Sequence, residues 1–76
     1  MNRIRRKQLQ DIIDKLEDLK NDLEALKDEE EEYRDNMPEN LQGGERYEKA
    51  DEACDNLNSA FDSLDEAVCY IEEAIA

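Results

Sequence analysis

The chain has 76 residues, with 23 acidic against 10 basic side chains, no histidine and a formal net charge of -13. This length allows one small domain, residues 1–76. So much negative charge repels nucleic-acid phosphates and anionic membranes and attracts basic protein surfaces. No segment is long and apolar enough to span a membrane. Cys54 and Cys69 would lie about 22 Å apart on one helix, too far for a disulfide, so we expect an intracellular protein with free thiols.

A heptad repeat runs through the first half of the chain and predicts a helix over about residues 3–33. Apolar residues recur there in alternating steps of three and four. With the seven positions lettered a to g, row a holds Leu9, Leu16 and Leu23. Row d holds Ile12, Leu19 and Leu26. Acidic residues and lysines fill most other positions, so we expect a narrow apolar seam made of rows a and d.

Residues 34–44 interrupt the repeat and predict a connection. Pro38 lacks a backbone donor and disfavours a helical Met37, while Gly43 and Gly44 permit a turn. We expect Met37 and Leu41 to fold over the end of the core.

A second repeat predicts a helix over residues 45–75, with Tyr47 taken as its first a position. Its rows a and d are Tyr47, Ala50, Cys54, Leu57, Phe61, Leu64, Val68, Ile71 and Ile75. Row g consists of Ala53, Ala60, Ala67 and Ala74. This wider apolar face suits a bundle better than a two-helix seam.

The short connection makes the helices antiparallel, so the predicted fold class is all-α, a coiled-coil-like two-helix hairpin. Two helices bury their apolar rows only in part, while ordering the chain costs roughly 1.5 kcal/mol per residue. We therefore predict self-association, most simply of two hairpins into a four-helix bundle. The predicted contact residues lie on the second helix: Leu57, Ala60, Phe61, Leu64, Ala67, Val68 and Ile71.

The sequence has no catalytic arrangement, and we predict a non-enzymatic binding protein without cofactor or metal. Its serines have no histidine to activate them. Cys54 falls on the core face, in an acidic neighbourhood that raises a thiol pKa. The acidic run 28–32 does not have the ligand spacing or the glycine turn of a calcium loop.

Two charged clusters each have two interpretations. The acidic surface either keeps an oligomer soluble or binds a basic protein, and the binding candidates are Asp28, Glu29, Glu31, Glu32, Asp62, Asp65 and Glu66. A basic cluster at the start of the first helix consists of Arg3, Arg5, Arg6 and Lys7. We expect this cluster to pair with Glu72 and Glu73, or with a partner chain. Alternatively, it binds an anion such as a phosphorylated small ligand.

The connection DNMPENLQGGERYE, residues 35–48, lies between an acidic leucine-rich arm and an acidic alanine-rich arm. Over most of residues 9–76 the chain resembles small acidic phage and prophage proteins of Gram-positive bacteria, which have no assigned activity. The resemblance implies the cytoplasm of a bacterial host, and it transfers no functional residues. It makes inhibition of a host defence or nucleic-acid-handling protein the leading hypothesis. The alternatives are a structural homo-oligomerisation module and a sponge for a phosphorylated ligand.

Overall fold

The computed structural model describes residues 1–76 and consists of two long helices that pack against each other. Helix α1 spans Arg3–Asp35 and helix α2 spans Glu45–Ile75, with one turn of 3₁₀ helix, Glu39–Leu41, between them. There are no strands. The hairpin is 59 Å long and 15 by 13 Å across. The predicted all-helical hairpin is confirmed, and α1 continues two residues past its predicted end.

The helix ends follow from local hydrogen bonding. Asn2 caps α1, because its side-chain oxygen accepts a hydrogen bond of 2.7 Å from the Arg5 N–H. Gly44 occupies the capping position of α2 in extended conformation. A Cβ there would lie 3.2 Å from the carbonyl oxygen of Leu41, so glycine relieves a close approach. Neither glycine has a positive φ, so the chain reverses without the left-handed backbone that favours glycine.

The core between the helices is thin. Six residues are buried, the apolar ones being Ile13, Met37, Ala50, Cys54 and Val68. The sixth is Lys20, whose stem lies along the seam. Met37 covers the end of the core as predicted, and its carbonyl accepts a hydrogen bond from the Gln42 side chain. The same prediction was wrong for Leu41, which is 51% exposed.

Helix α1 does not face α2 with the predicted rows a and d. Instead it uses rows a and e, so that Ile13 and Lys20 are buried. The d row points away, with 44–59% exposure at Ile12, Leu19, Leu26 and Tyr33. Because successive helical residues are about 100° apart, the difference corresponds to a rotation of α1 by roughly 50° about its axis.

Charge matching between the two e rows explains this rotation. The Lys20 ammonium donates a hydrogen bond of 2.5 Å to the Asp65 carboxylate, and the Arg34 guanidinium donates one of 2.9 Å to Asp51. Lys20 and Lys27 each place Nζ 5.3 Å from the centre of the Phe61 ring, a cation–π distance. Turning row d inward would pull these cations away from α2. The ion pairs also fix the register, because both join residues related by the same antiparallel alignment.

That alignment places Lys27 opposite Asn58, the one uncharged member among three successive e positions of α2. We therefore expect Asn58→Asp to add a third cross-helix ion pair and to raise the free energy of unfolding by about 0.5 kcal/mol. The matched control is Ser59→Asp, which adds the same charge within three or four residues of the same acids, Asp55 and Asp62. Thermal unfolding of both variants followed by circular dichroism makes the comparison. Equal or lower stability of Asn58→Asp would contradict the alignment.

Candidate interaction surfaces

The two broad faces of the hairpin differ in chemistry. The cross-helix ion pairs of the e rows lie on one face. Around α1 the rows follow one another in the order d, a, e, and around α2 in the order g, d, a, e. Since the helices are antiparallel and both e rows share a face, row d of α1 and rows d and g of α2 share the opposite one. We call that opposite surface the apolar face.

The apolar face is large for a chain of this size. It carries the exposed residues Ile12, Leu19, Leu26 and Tyr33 from α1. From α2 it carries Leu57, Leu64 and Ile71, all half-buried, together with the alanines of row g. The whole chain exposes 5794 Å², whereas a folded monomer of 8.9 kDa exposes about 4,800 Å². Exposed apolar patches are typical of interaction surfaces, so the apolar face is a candidate surface for binding.

The self-association residues predicted on α2 are divided by the packing. Leu57, Leu64, Ala67 and Ile71 are half-buried, and Ala60 is exposed; all five belong to the apolar face. Phe61 is also half-buried, but its ring lies beside Lys20 and Lys27. Val68 is 2% exposed and packs within the hairpin.

Sequence reasoning missed the contribution of α1 to the apolar face. The signal for it was a row of basic residues seven apart, Lys20, Lys27 and Arg34, matched by Asp51 and Asp65 at the corresponding positions of α2. This charge match predicts that the e rows face each other, which leaves row d of α1 without a partner helix.

The predicted acidic residues form two separate patches. One lies near the turn end of α1 and holds Asp28, Glu29, Glu31 and Glu32, of which Glu31 is half-buried and the others are exposed. The second patch, on α2, holds Asp62 and Glu66 as exposed side chains. Asp65 is the only one of the seven candidates in an ion pair, the one with Lys20.

The basic cluster has no ion pair within the chain, so its predicted pairing with Glu72 and Glu73 was wrong. The register explains why, because the alignment that joins Lys20 to Asp65 puts Glu72 level with Ile13. That is about 10 Å short of the cluster at 1.5 Å per residue. Arg3, Arg5, Arg6 and Lys7 are therefore exposed beyond the level of Ile75. The capping bond to Asn2 already uses the Arg5 N–H that an anion would contact.

The two cysteines differ in environment. Cys69 is exposed and Cys54 is fully buried between the helices. Burial raises the pKa of the Cys54 thiol, the positive charge of Arg34 opposes that rise, and the carboxylates of Glu31, Glu30 and Asp51 add to it. The thiol of Cys54 is thus less ionised than an ordinary thiol, the opposite of what a nucleophile needs.

An open groove extends the apolar face at its turn end. It has a volume of about 670 Å³, and its apolar lining includes Tyr33, Met37, Pro38 and Leu41. A smaller groove of about 390 Å³ adjoins it and shares Tyr33, with Glu30, Glu45 and Lys49 among its charged lining residues. Tyr33 therefore connects the apolar face to an edge of mixed charge, where Glu30 and Glu45 lie with Arg46 and Lys49.

No three histidine, cysteine or acidic side chains of the chain are grouped so that they could hold a metal ion. Neither helix contains an apolar stretch of the length needed to cross a membrane. Comparison with family models, curated proteins and solved structures gives no match.

The environment of Cys54 predicts a loss of stability in alkali. Below the ordinary thiol pKa of 9.0, the thiol is protonated in both the folded and the unfolded chain. Above that pH the unfolded chain ionises while the folded chain resists, so the free energy of unfolding falls as pH rises through the raised folded pKa. We expect Cys54→Ala to flatten this fall in Tm between pH 8 and pH 10 and Cys69→Ala to leave it unchanged. Identical slopes for both variants would contradict the assignment.

Proposed function

We propose that this chain is a non-enzymatic acidic binding protein that works as a four-helix bundle of two hairpins. In that bundle its outward carboxylates engage a basic protein surface. The observation that carries the proposal is the exposed d row of α1, which gives the hairpin an apolar face that a single chain leaves uncovered. The experiment that tests it measures the mass of the particle and what its acidic surface captures.

Self-association follows from the thinness of the core. Only six side chains are buried in the hairpin, while ordering each residue costs roughly 1.5 kcal/mol. Pairing two apolar faces removes Ile12, Leu19, Leu26 and Tyr33 of each copy from water. Each such side chain contributes up to about 1.5–3 kcal/mol when it becomes fully buried.

The acidic surface remains outside such a bundle. Asp28, Glu32, Asp62 and Glu66 lie in rows b, c and f, which the apolar face does not include, and none of them is in an ion pair. Unpaired carboxylates at this density attract a basic protein from a distance and set the orientation of its approach. The resemblance to phage proteins makes a host defence or nucleic-acid-handling protein the first class of target to test.

Two alternatives use parts of the same surface. A structural homo-oligomerisation module would need only the apolar face and would bind no other protein. A sponge for a phosphorylated ligand would use the basic cluster, which is free of ion pairs within the chain. An anion would then raise the Tm, and Arg5→Glu with Arg6→Glu would abolish that rise.

Light scattering tests the self-association. We expect the wild-type particle to have twice the 8.9 kDa mass of the chain and Leu19→Glu to reduce it to one chain, because a buried unpaired charge opposes contact. The matched control is Tyr70→Glu, which replaces an even more exposed apolar side chain, 65% against 57%, on the outer side of α2. That variant should keep the doubled mass. A wild-type monomer at all concentrations would contradict the proposal.

Capture from host lysate at low and moderate salt tests the acidic surface. We expect a quadruple variant with Asp28→Asn, Glu32→Gln, Asp62→Asn and Glu66→Gln to lose most of the captured protein. The control variant neutralises four other exposed acids, Asp11, Asp14, Asp18 and Glu24, and so reduces the net negative charge by the same amount as the quadruple variant. This control should retain capture. If the wild type captures nothing but itself, the structural module is the correct function.

A further inference from the structure

We propose that the two hairpins stack antiparallel, with their turns at opposite ends, about a twofold axis that passes beside Leu19 and Leu64. This arrangement rests on the self-association proposed above and specifies its geometry. Each α1 packs on the α1 of the second copy, and each α2 on the second α2. The occupant of the apolar face is therefore another copy of the same face in reversed direction.

The apolar rows have the symmetry that such an axis needs. Reversing row d of α1 about Leu19 exchanges Ile12 with Leu26, and reversing row d of α2 about Leu64 exchanges Leu57 with Ile71. Apolar side chains then meet apolar side chains at each of these levels. One axis can serve both helices, because Leu19 and Leu64 lie one residue to either side of the level of the Lys20–Asp65 ion pair, about 3 Å apart in height.

The flanking g rows supply charge and size complementarity. In α1 row g consists of Gln8, Lys15, Asp22 and Glu29. The axis places Lys15 of each copy beside Asp22 of the other, and Gln8 beside Glu29. In α2 row g is entirely alanine, and reversal places alanine against alanine, which lets the two α2 helices approach closely.

The arrangement also gives the basic cluster a role. Arg5 is in row d, and reversal about Leu19 places it level with Tyr33 of the second copy. There its guanidinium meets an exposed aromatic ring, which suits a cation–π contact. Glu29 lies one helical turn from that ring, and the groove beside the ring is lined by Glu30, Glu45, Arg46 and Lys49. Stacking with both turns at one end would instead bring the two basic clusters together, and α1 would face the alanine row of α2. Lys15 and Asp22 would then have no charged partner.

The contact area matches a stable dimer. A face of 59 by 15 Å covers about 900 Å² in projection. Full overlap of two copies would thus bury on the order of 1,800 Å², within the standard range of roughly 1,200–2,000 Å² for specific interfaces.

Disulfide trapping tests the axis, in a Cys69→Ser background that retains the buried Cys54. We expect Leu19→Cys to form a covalent dimer with itself on mild oxidation, because the two residues meet at the axis. Ile12→Cys and Leu26→Cys should each fail alone and should cross-link when the two variants are mixed. Cross-linking of Leu26→Cys with itself, or no cross-link in a particle of doubled mass, would overturn the arrangement but leave self-association standing. A monomeric mass for the background protein would overturn both.

Charge reversal tests the proposed charged contacts of row g of α1. Asp22→Lys with Glu29→Lys moves the net charge from -13 to -9, which lowers general repulsion, yet we expect the dimer Kd to rise about tenfold as attractions become repulsions. Asp62→Lys with Glu66→Lys changes net charge equally on the outer side of α2 and should not weaken the dimer. Adding Arg5→Glu and Lys15→Glu to the first variant should restore the Kd. A first variant that dimerises as tightly as wild type would refute the arrangement.

Discussion

The ion pairs between the e rows of the two helices set the geometry on which the rest of the molecule depends. Lys20 with Asp65 and Arg34 with Asp51 fix the register, and they turn α1 so that row e, with Ile13 and a run of basic residues, follows row a into the seam. Hydrogen bonding to Asp65 raises the pKa of Lys20 despite the opposing effect of burial, so the contact holds its cation charged. The seam is therefore partly electrostatic.

The rotation of α1 leaves apolar side chains exposed, and these side chains form the apolar face. Leu19 and Leu26 stay in water, which leaves the hairpin with a small core and a surface larger than its mass requires. The same residues then form a continuous apolar face with the alanine-rich side of α2. Helix α2 pairs with the basic residues in row e of α1, and in our proposal a second copy covers the apolar row d. Folding and association are therefore coupled.

The negative charge of the chain is distributed unevenly over its surface. Lys20 and Arg34 form ion pairs between the helices. The exposed carboxylates of the outer rows therefore leave an excess of negative charge on the surface. Two such chains repel each other at long range. In the proposed dimer, Lys15 of each copy lies beside Asp22 of the other and provides local attraction. The outer carboxylates stay exposed there and are the proposed contact for a basic protein. In our proposal the apolar face therefore binds a second copy, and the acidic outer surface binds another protein.

Much of the fold was determined by the sequence alone, because heptad spacing and the break around Pro38 are local properties that specify two helices and a reversal. The same spacing predicted the burial of Cys54 and Val68. Which row of α1 turns inward was decided only by tertiary structure. Rows d and e flank row a almost equally, and the choice depends on Asp51 and Asp65, acids that are distant in sequence and come near only when the chain folds back. The apolar face is the surface left by that choice.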